Sequence, residues 1–518
     1  MDAIKILWAD DEIDLLKPQI FFLEQKGYRV TPVSNGQDAL ERCQEEVFDI
    51  VFLDESMPGL TGLETLSRLK QLRSQIPVVM ITKNEEENLM EDAIGSQIAD
   101  YLIKPVKPQQ ILLTLKKIID NKRLVSEKTN SAYQQEFQRL FMSIQSVGNY
   151  KEWVEVFKQL TYWELELGKS DQRMKEVFDM QKSEANREFS KFFSKHYIHW
   201  MNHPNEEDTP VMSHNLMRKK AFSYITQDKP TVFLLIDNLR YDQWRVIQPM
   251  ISEMFKQKED DTFFSILPSA TQYSRNAIFA GMTPLEIQQK FPQYWKYDDD
   301  EGGKNLFESE LLQAQLKAYF KDEIKSHYVK ILNHESGLDL ENNIHNYLHN
   351  RFIAIVYNFV DMLSHARTDM EVLKELASDE SAFRSITMSW FEHSPLQNTL
   401  KKLAEKDINL IITTDHGTTR VNNPSKCQGD KSTSTNIRYK AGKNLQYEER
   451  DVFVIRKPED AKLPQSNIST SYIFAKEDNY LIYQNNYNQF VNMYKNTFQH
   501  GGISLEEIIV PFAVFGKK

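Results

Sequence analysis

Cysteine is nearly absent: Cys43 and Cys427 are the only two in 518 residues, which rules out a disulfide framework. Cys43 falls in a helical pattern, where a small buried residue is expected. Long basic runs are missing too. With 63 basic against 74 acidic residues the net charge is −11, so no duplex DNA-binding domain is expected. No apolar run reaches the length of a membrane span. The opening MDAIKILWADDEIDLL carries acids where a signal peptide needs an apolar stretch, so the expected location is cytoplasmic. Proline does not occur between Pro108 and Pro204, and glycine is sparse there, which points to helices. The length is too great for one core. Three domains are expected, over 1–120, 121–225 and 226–518.

What is present begins with five apolar runs: IKILWA (4–9), YRVTPV (28–33), DIVFL (49–53), PVVMIT (77–82) and ADYLI (99–103). Amphipathic stretches separate them, so a parallel α/β sheet covered on both faces is expected, flavodoxin-like in kind. Right-handed crossovers put all strand ends on one edge. Asp10 and Asp11 follow the first run, Asp54 the third, Thr82 ends the fourth and Lys104 follows the fifth. Three converging carboxylates suit Mg²⁺. Asp54 could then attack a phosphoryl donor, with Thr82 and Lys104 contacting the acyl phosphate. With the turn ESMPGLTG (55–62), this set resembles the response-regulator receiver domain. That resemblance implies a sensor histidine kinase as partner and Tyr101 as the switch aromatic. A small flavodoxin-like domain with surface acids is the competing reading, and for Tyr101 an ordinary core or surface tyrosine is the rival.

Residues 121–225 carry helix-spaced apolar residues, among them Phe137, Leu140, Phe141 and Ile144, then Trp153, Phe157 and Leu160. Helix breaks are expected near Gly148-Asn149 and Gly168-Lys169, and the aromatic stripe reads as the core of a helical connector bundle. NHPNEEDTPV (202–211) reads as a loop. His196, His199 and His203 are loosely spaced, with no cysteine nearby, and are assigned no metal.

In the last part, TVFLLID (231–237), RFIAIVYNFVD (351–361) and INLIITTD (408–415) are apolar runs ending in an acid. Buried parallel strands delivering carboxylates to one crevice look like this. The segments FLLID, LPSAT, YNFVDMLSH, TTDHG and FQHGG bring Asp237, Thr271, Asp361, His365, Asp415, His416 and His500. Imidazoles and carboxylates with one hydroxyl suit a phosphate-handling pair of Zn²⁺ or Mn²⁺ ions. Each fragment also has a structural reading. Asp361 and His365 could be a helix-surface ion pair, Asp415-His416-Gly417 a cap, and His500-Gly501-Gly502 a turn. The whole set in this order favours metal.

LPSATQYSRNAIFAGMTP (267–284), TTDHG and HGGISLEEIIVP (500–511) resemble the PglZ domain of the alkaline phosphatase superfamily over about 225–518. The resemblance implies an alkaline-phosphatase-like α/β domain holding two Zn²⁺, with Mn²⁺ as the alternative. Asp361, His365 and His500 would hold one ion, Asp237, Asp415 and His416 the other, with Thr271 facing both as nucleophile. Arg275 and Asn276, one turn past Thr271, could bind phosphate oxygens; a helix-surface Arg and a cap are equally open. Ser269 is the rival nucleophile. Residues 285–350 read as a helical inserted cap, with His327, His334, His345 and His349 on its surface.

A receiver, a helical middle and a PglZ domain in one chain resemble the PorX-type response regulators tied to type IX secretion. That implies a homodimer on phosphorylation and contact with a sigma factor or a secretion-motor component. The expected function is a phosphorylatable switch joined to a dinuclear phosphodiesterase, acting on nucleotide or short oligonucleotide phosphodiesters on family grounds. Two alternatives stand: a non-catalytic signalling scaffold with structural metals, and a phosphomutase.

Overall fold

Each of the five N-terminal apolar runs becomes a strand in the computed structural model. It describes residues 3–73, 76–83, 98–168, 174–298, 300–361, 379–430, 433–484 and 487–518, without the side chains of 119–128. The strands are β1 (Lys5–Ala9), β2 (Arg29–Val33), β3 (Ile50–Asp54), β4 (Val78–Thr82) and β5 (Asp100–Ile103). They pair in parallel in the order β2-β1-β3-β4-β5. β3 is buried throughout, as a central parallel strand covered on both faces must be. Two apolar clusters, one on each face, complete the core. The chain reverses direction at β1, between β2 and β3, and the strand ends there form the crevice where such sheets bind ligands.

The chain divides into two compact units, one built on residues 1–132 and the other on 133–168 and 172–518. Helices Asn121–Ser146, Tyr150–Gly168 and Lys175–Asn202 follow the receiver-like sheet; the break expected near Gly148-Asn149 lies between the first two, and the one expected at Gly168-Lys169 falls outside the described residues. From Tyr133 onward these helices share one continuous apolar core with the sheet that follows. Phe264 is the focus. Its ring meets Tyr150, Phe189, Phe193 and Trp200 at centroid distances of 5.8–6.4 Å.

The large sheet contains β6 (Thr231–Ile236), β7 (Lys256–Phe264), β8 (Ser326–Ile331), β9 (Phe352–Tyr357), β10 (Asn409–Thr413) and the C-terminal strand Ile509–Gly516. Its order is β7, Ile509–Gly516, β10, β6, β9, β8. The three acid-terminated runs are β6, β9 and β10, adjacent and parallel, while Ile509–Gly516 runs antiparallel to both its neighbours. One expectation changes. The 285–350 stretch is not purely helical, because Ser326–Ile331 extends the main sheet as an edge strand beside β9. Its half-exposed SHYVKI lacks the continuous apolar run that marks the central strands. Among the described residues no helix is long and apolar enough to cross a membrane.

Charge also holds the helices of 150–202 to the sheet. Lys182 bridges Glu164 at 2.8 Å and Glu506 at 3.0 Å; Arg384 joins Glu164 to Asp242, and Arg240 grips Asp242 with two bonds. Burial alone would raise the Glu164 carboxyl, but Lys182, Arg384 and Arg240 outweigh it and hold it well below the usual range. Stability from this depressed pKa is present above the unfolded value of about 4.3 and is lost as pH falls through the folded one. Lys182→Met should therefore destabilise the larger unit by about 3 kcal/mol, the low end for a broken buried pair. The low end applies because Lys182 and Glu164 keep 16% and 13% of their side-chain exposure. Urea unfolding at neutral pH measures the loss, which should shrink on acidification.

Candidate functional site

In the smaller unit, the ends of β1, β3 and β5 place Asp10, Asp54 and Lys104 together. Lys104 Nζ lies 2.9 Å from Asp10 Oδ2 and 3.1 Å from Asp54 Oδ1, with both acids buried. Burial pushes the Asp54 carboxyl up to about 6; Asp10 and Asp11 add to the rise, against the hydrogen bond from Lys104. A carboxylate held this way is poised to gain from Mg²⁺, which would offset the acidic neighbours. The oxygens of Asp10, Asp11 and Glu12 lie within 4.8 Å of one another, so Glu12 joins the expected acids at the crevice. Thr82 Oγ1 donates to the Glu55 carboxylate, and Tyr101 on β5 is 41% exposed.

In the larger unit, Asp237 and Asp415 stand just past the adjacent ends of β6 and β10, both fully buried. Asn238 takes a left-handed turn (φ 62°), a conformation Asn tolerates. It thereby points its N–H at Asp415 Oδ1, 3.2 Å away. His416 sits opposite, with Nε2 3.8 Å from both carboxylates. Its Nδ1 lies 3.0 Å from the Gly417 carbonyl oxygen and donates to it, which leaves the Nε2 lone pair facing the acids. Gly417 is required by space, since a Cβ there would lie 1.9 Å from the Glu506 carbonyl oxygen.

Thr271 begins the helix Thr271–Ala280, and its Oγ1 lies 3.1 Å from His416 Nε2 and 3.4 Å from Asp237 Oδ1. The His500 ring stacks on His416 at 4.3 Å, and His500 Nε2 approaches Asp361 Oδ1 at 3.7 Å. Asn238 Nδ2, 3.4 Å from Asp361 Oδ1, ties the two halves. Six of the seven expected residues thus converge. The seventh, His365, lies outside the described residues.

The other candidates are placed differently from expectation. Arg275 is buried, and its guanidinium is ion-paired through Nη1 to Asp237 and through Nε to Glu308, with Nη1 4.0 Å from Asp415 Oδ2. Asn276 spends its amide on the Lys304 carbonyl and on Asn305. Ser269 is bound to the backbone of Gly501 and Gly502, so of the two candidate nucleophiles it is Thr271 whose hydroxyl meets Asp237 and His416. Sequence reasoning missed Arg438 and Glu507. Their buried pair, with Nη2 and Oε2 2.7 Å apart, braces the turn after His500, since Glu507 also accepts from Gly502 N. Glu507 lies within the HGGISLEEIIVP segment, but nothing local marks Arg438.

The residues fit a divalent cation. Asp415 Oδ2 is buried without a hydrogen-bond partner, an orphaned acceptor that a metal would satisfy. Two carboxylates and an imidazole within 4.8 Å form a donor set suited to Zn²⁺ or Mn²⁺. Burial and then the Asp237 charge push Asp415 up to about 7, against His416, Arg275 and the Asn238 N–H.

Three family models match the chain in order. Residues 6–116 match the response regulator receiver domain, and 123–201 match the PorX response regulator linker domain. Residues 216–515 match the BREX system PglZ alkaline phosphatase-like domain. Among curated proteins, the transcriptional regulatory protein ZraR of Klebsiella oxytoca is 36% identical over 123 residues, 24% of this chain and 28% of its own length. The alkaline phosphatase synthesis transcriptional regulatory protein PhoP of Bacillus subtilis (strain 168) is 32% identical over 117 residues, 22% of this chain and 48% of its own. The chain therefore spans less than half the length of either relative. Among solved structures, chemotaxis protein CheY4 of Vibrio cholerae shares 26% identity over 22% of this chain and 98% of that one, with a TM-score of 0.22.

Two outcomes follow from the carboxylates. Incubation with a small acyl-phosphate donor and Mg²⁺ should add one phosphoryl mass to wild type and none to Asp54→Ala, read by intact mass spectrometry. In chelator-stripped protein, the raised Asp415 pKa contributes stability that is lost as pH rises through about 7. Asp415→Asn should then raise the stability of stripped protein at pH 8 by about 1 kcal/mol. It should lower the stability of metal-loaded protein, and urea unfolding with and without chelator reads this reversal of sign.

Proposed function

The chain belongs to the PglZ alkaline phosphatase-like family, and from that membership we propose a response regulator whose effector is a metal-dependent phosphodiesterase with Thr271 as nucleophile. Receiver, linker and PglZ domain follow one another in the PorX-type order, and a receiver implies a sensor histidine kinase that phosphorylates it. The observation that carries the reading is the position of Thr271. Its hydroxyl lies 3.1 Å from His416 Nε2 and 3.4 Å from Asp237 Oδ1, at the N-terminus of its helix.

The chain's own groups support the chemistry in steps. The N-terminus of Thr271–Ala280 offers N–H groups and a positive dipole end to an anionic phosphoryl group. His416 Nε2, a lone-pair acceptor 3.1 Å away, and Asp237 Oδ1 at 3.4 Å are both placed to accept the Thr271 hydroxyl proton as its oxygen attacks phosphorus. Attack forms the Thr271 Oγ1–P bond and breaks the bond to the leaving oxygen; water then breaks the Oγ1–P bond and releases the phosphoester. Bound divalent cations would lower the hydroxyl pKa and offset the charge on the transferred group. Arg275 acts as a positioning residue, because its ion pair fixes which way Asp237 faces. Phosphodiesters of nucleotides or short oligonucleotides are the proposed substrates, and type IX secretion the proposed context, both on the PorX-type resemblance.

Thr271→Ala should lose hydrolysis by at least about 100-fold while keeping its metal and fold, because every His and Asp ligand remains. His416→Ala should lose metal as well. The assay is a panel of chromogenic mono- and diesters and short oligonucleotides, paired with elemental analysis. Equal rates for Thr271→Ala and wild type would remove Thr271 from the nucleophile role. A wild type that cleaves nothing, phosphorylated or not, supports the scaffold reading.

A further inference from the structure

Three groups of side chains among the described residues bring at least three metal-ligating atoms within 4.8 Å of one another. The acids of the receiver and the effector triad are two of them. The third, His199, His203 and Glu206, lies at the end of the helix Lys175–Asn202 and takes no part in the function above. We propose that these three residues bind a further divalent transition-metal ion, Zn²⁺ by ligand chemistry, with one coordination position left to water.

The local sequence builds the site. His199 and His203 are four residues apart, so their rings share one helix face, and they stack at 4.3 Å. Pro204 cannot continue the helix, and the chain turns back at once. Glu206 N donates to the His203 carbonyl oxygen at 3.3 Å, and Thr209 Oγ1 donates to the same oxygen at 2.9 Å. That turn returns the Glu206 carboxylate to the histidines, 2.8 Å from His199 Nε2.

The donor atoms are presented correctly for a cation. His203 Nδ1 lies 3.0 Å from the His199 carbonyl oxygen and must donate to it, so in the neutral ring Nε2 carries the lone pair. A backbone carbonyl on the far ring nitrogen is the usual partner of a metal-ligating histidine. His199 Nε2 and Glu206 now share a proton. A metal ion would take its place, with the His199 hydrogen moving to Nδ1 or to solvent. Two imidazoles and one carboxylate form a ligand set that Zn²⁺ accepts with a fourth position open. At 52% and 54% side-chain exposure for His199 and Glu206, the site is reachable by an ion from solution.

The place matters as well. Asn202 Nδ2 bonds the Asp460 carbonyl oxygen, and the loop after Glu206 runs to Val211, whose carbonyl accepts from Phe264 N at the end of β7. A bound ion would clip the last linker helix to the segment entering the effector sheet, and would stabilise that junction by mass action.

The test compares full-length wild type, Glu206→Gln and the double variant His199→Asn, His203→Asn. All are stripped with chelator and dialysed against buffered Zn²⁺. Wild type should hold one more zinc per chain than the double variant by elemental analysis. Glu206→Gln should bind that ion about 10-fold or more weakly. Zn²⁺ should also protect His199 and His203 of wild type from diethyl pyrocarbonate, read by peptide mass mapping, which decides the matter even if the double variant misfolds. Effector metals add equally to every sample, so failure of the dinuclear reading leaves this difference intact. Equal zinc counts, or labelling of both histidines that ignores Zn²⁺, would reduce the cluster to a surface His–Glu hydrogen bond and overturn the proposal.

Discussion

Two buried carboxylates side by side govern the larger unit. Asp237 and Asp415 leave neighbouring parallel strands at the same level, and sheet geometry allows neither to move away from the other. Burial disfavours the charged carboxylate and the like charge of Asp237 adds to that cost; together they raise Asp415 to about 7. Arg275 offsets part of it through Asp237, and the backbone N–H groups of Asn238 and His416 offset more at Asp415 Oδ1. What stays without a hydrogen bond is Asp415 Oδ2. A fold that keeps such an oxygen buried carries strain that only a proton or a cation relieves. The nucleophile candidate stands where that relief would occur.

The same strand ends are tied to the helices of the connector. Arg240 lies three residues past Asp237, and Glu506 closes over Gly417, two residues past Asp415. Both belong to the charge network that includes Glu164 and Lys182 of the connector helices. A displacement of those helices would therefore be felt at the loops that hold Asp237 and His416. Packed interfaces of this kind have discrete arrangements rather than a continuous range.

Legibility in the sequence followed the range of the forces involved. Strands β1–β6, β9 and β10 were readable because continuous burial demands apolar runs, and the acids at the ends of β1, β3, β6, β9 and β10 because together they fall on the strand ends where such sheets bind ligands. The helix break between Ser146 and Tyr150 followed from Gly148. Edge strand β8 was not readable, since half-exposed residues need no apolar run. The buried pairs were invisible for a different reason. Arg438 meets Glu507 across 69 residues, and Arg384 meets Glu164 across 220, so no local pattern encodes either partner. Arg275 shows the limit best. Helical spacing placed it one turn past Thr271, but only the fold reveals that Glu308 and Asp237 already hold its guanidinium. His199 and His203 had helical spacing in plain view; the missing sign was Glu206, delivered by a turn that Pro204 and Thr209 shape.

The two units handle the same problem with opposite results. In the smaller unit, crowded strand-end acids are bridged by Lys104, a flexible cation that reaches both Asp10 and Asp54. A lysine on a mobile stem can leave one acid for an arriving phosphoryl group without disturbing the backbone. In the larger unit the internal cation is Arg275, a planar fork clamped between Asp237 and Glu308 and buried to 1% exposure. It cannot swing, so it fixes a geometry rather than yielding to a ligand. A lysine suits a site whose acids must be able to change partner, and an arginine suits one that must keep the same shape. The choice of cation separates a yielding site from a fixed one where the acids alone look alike.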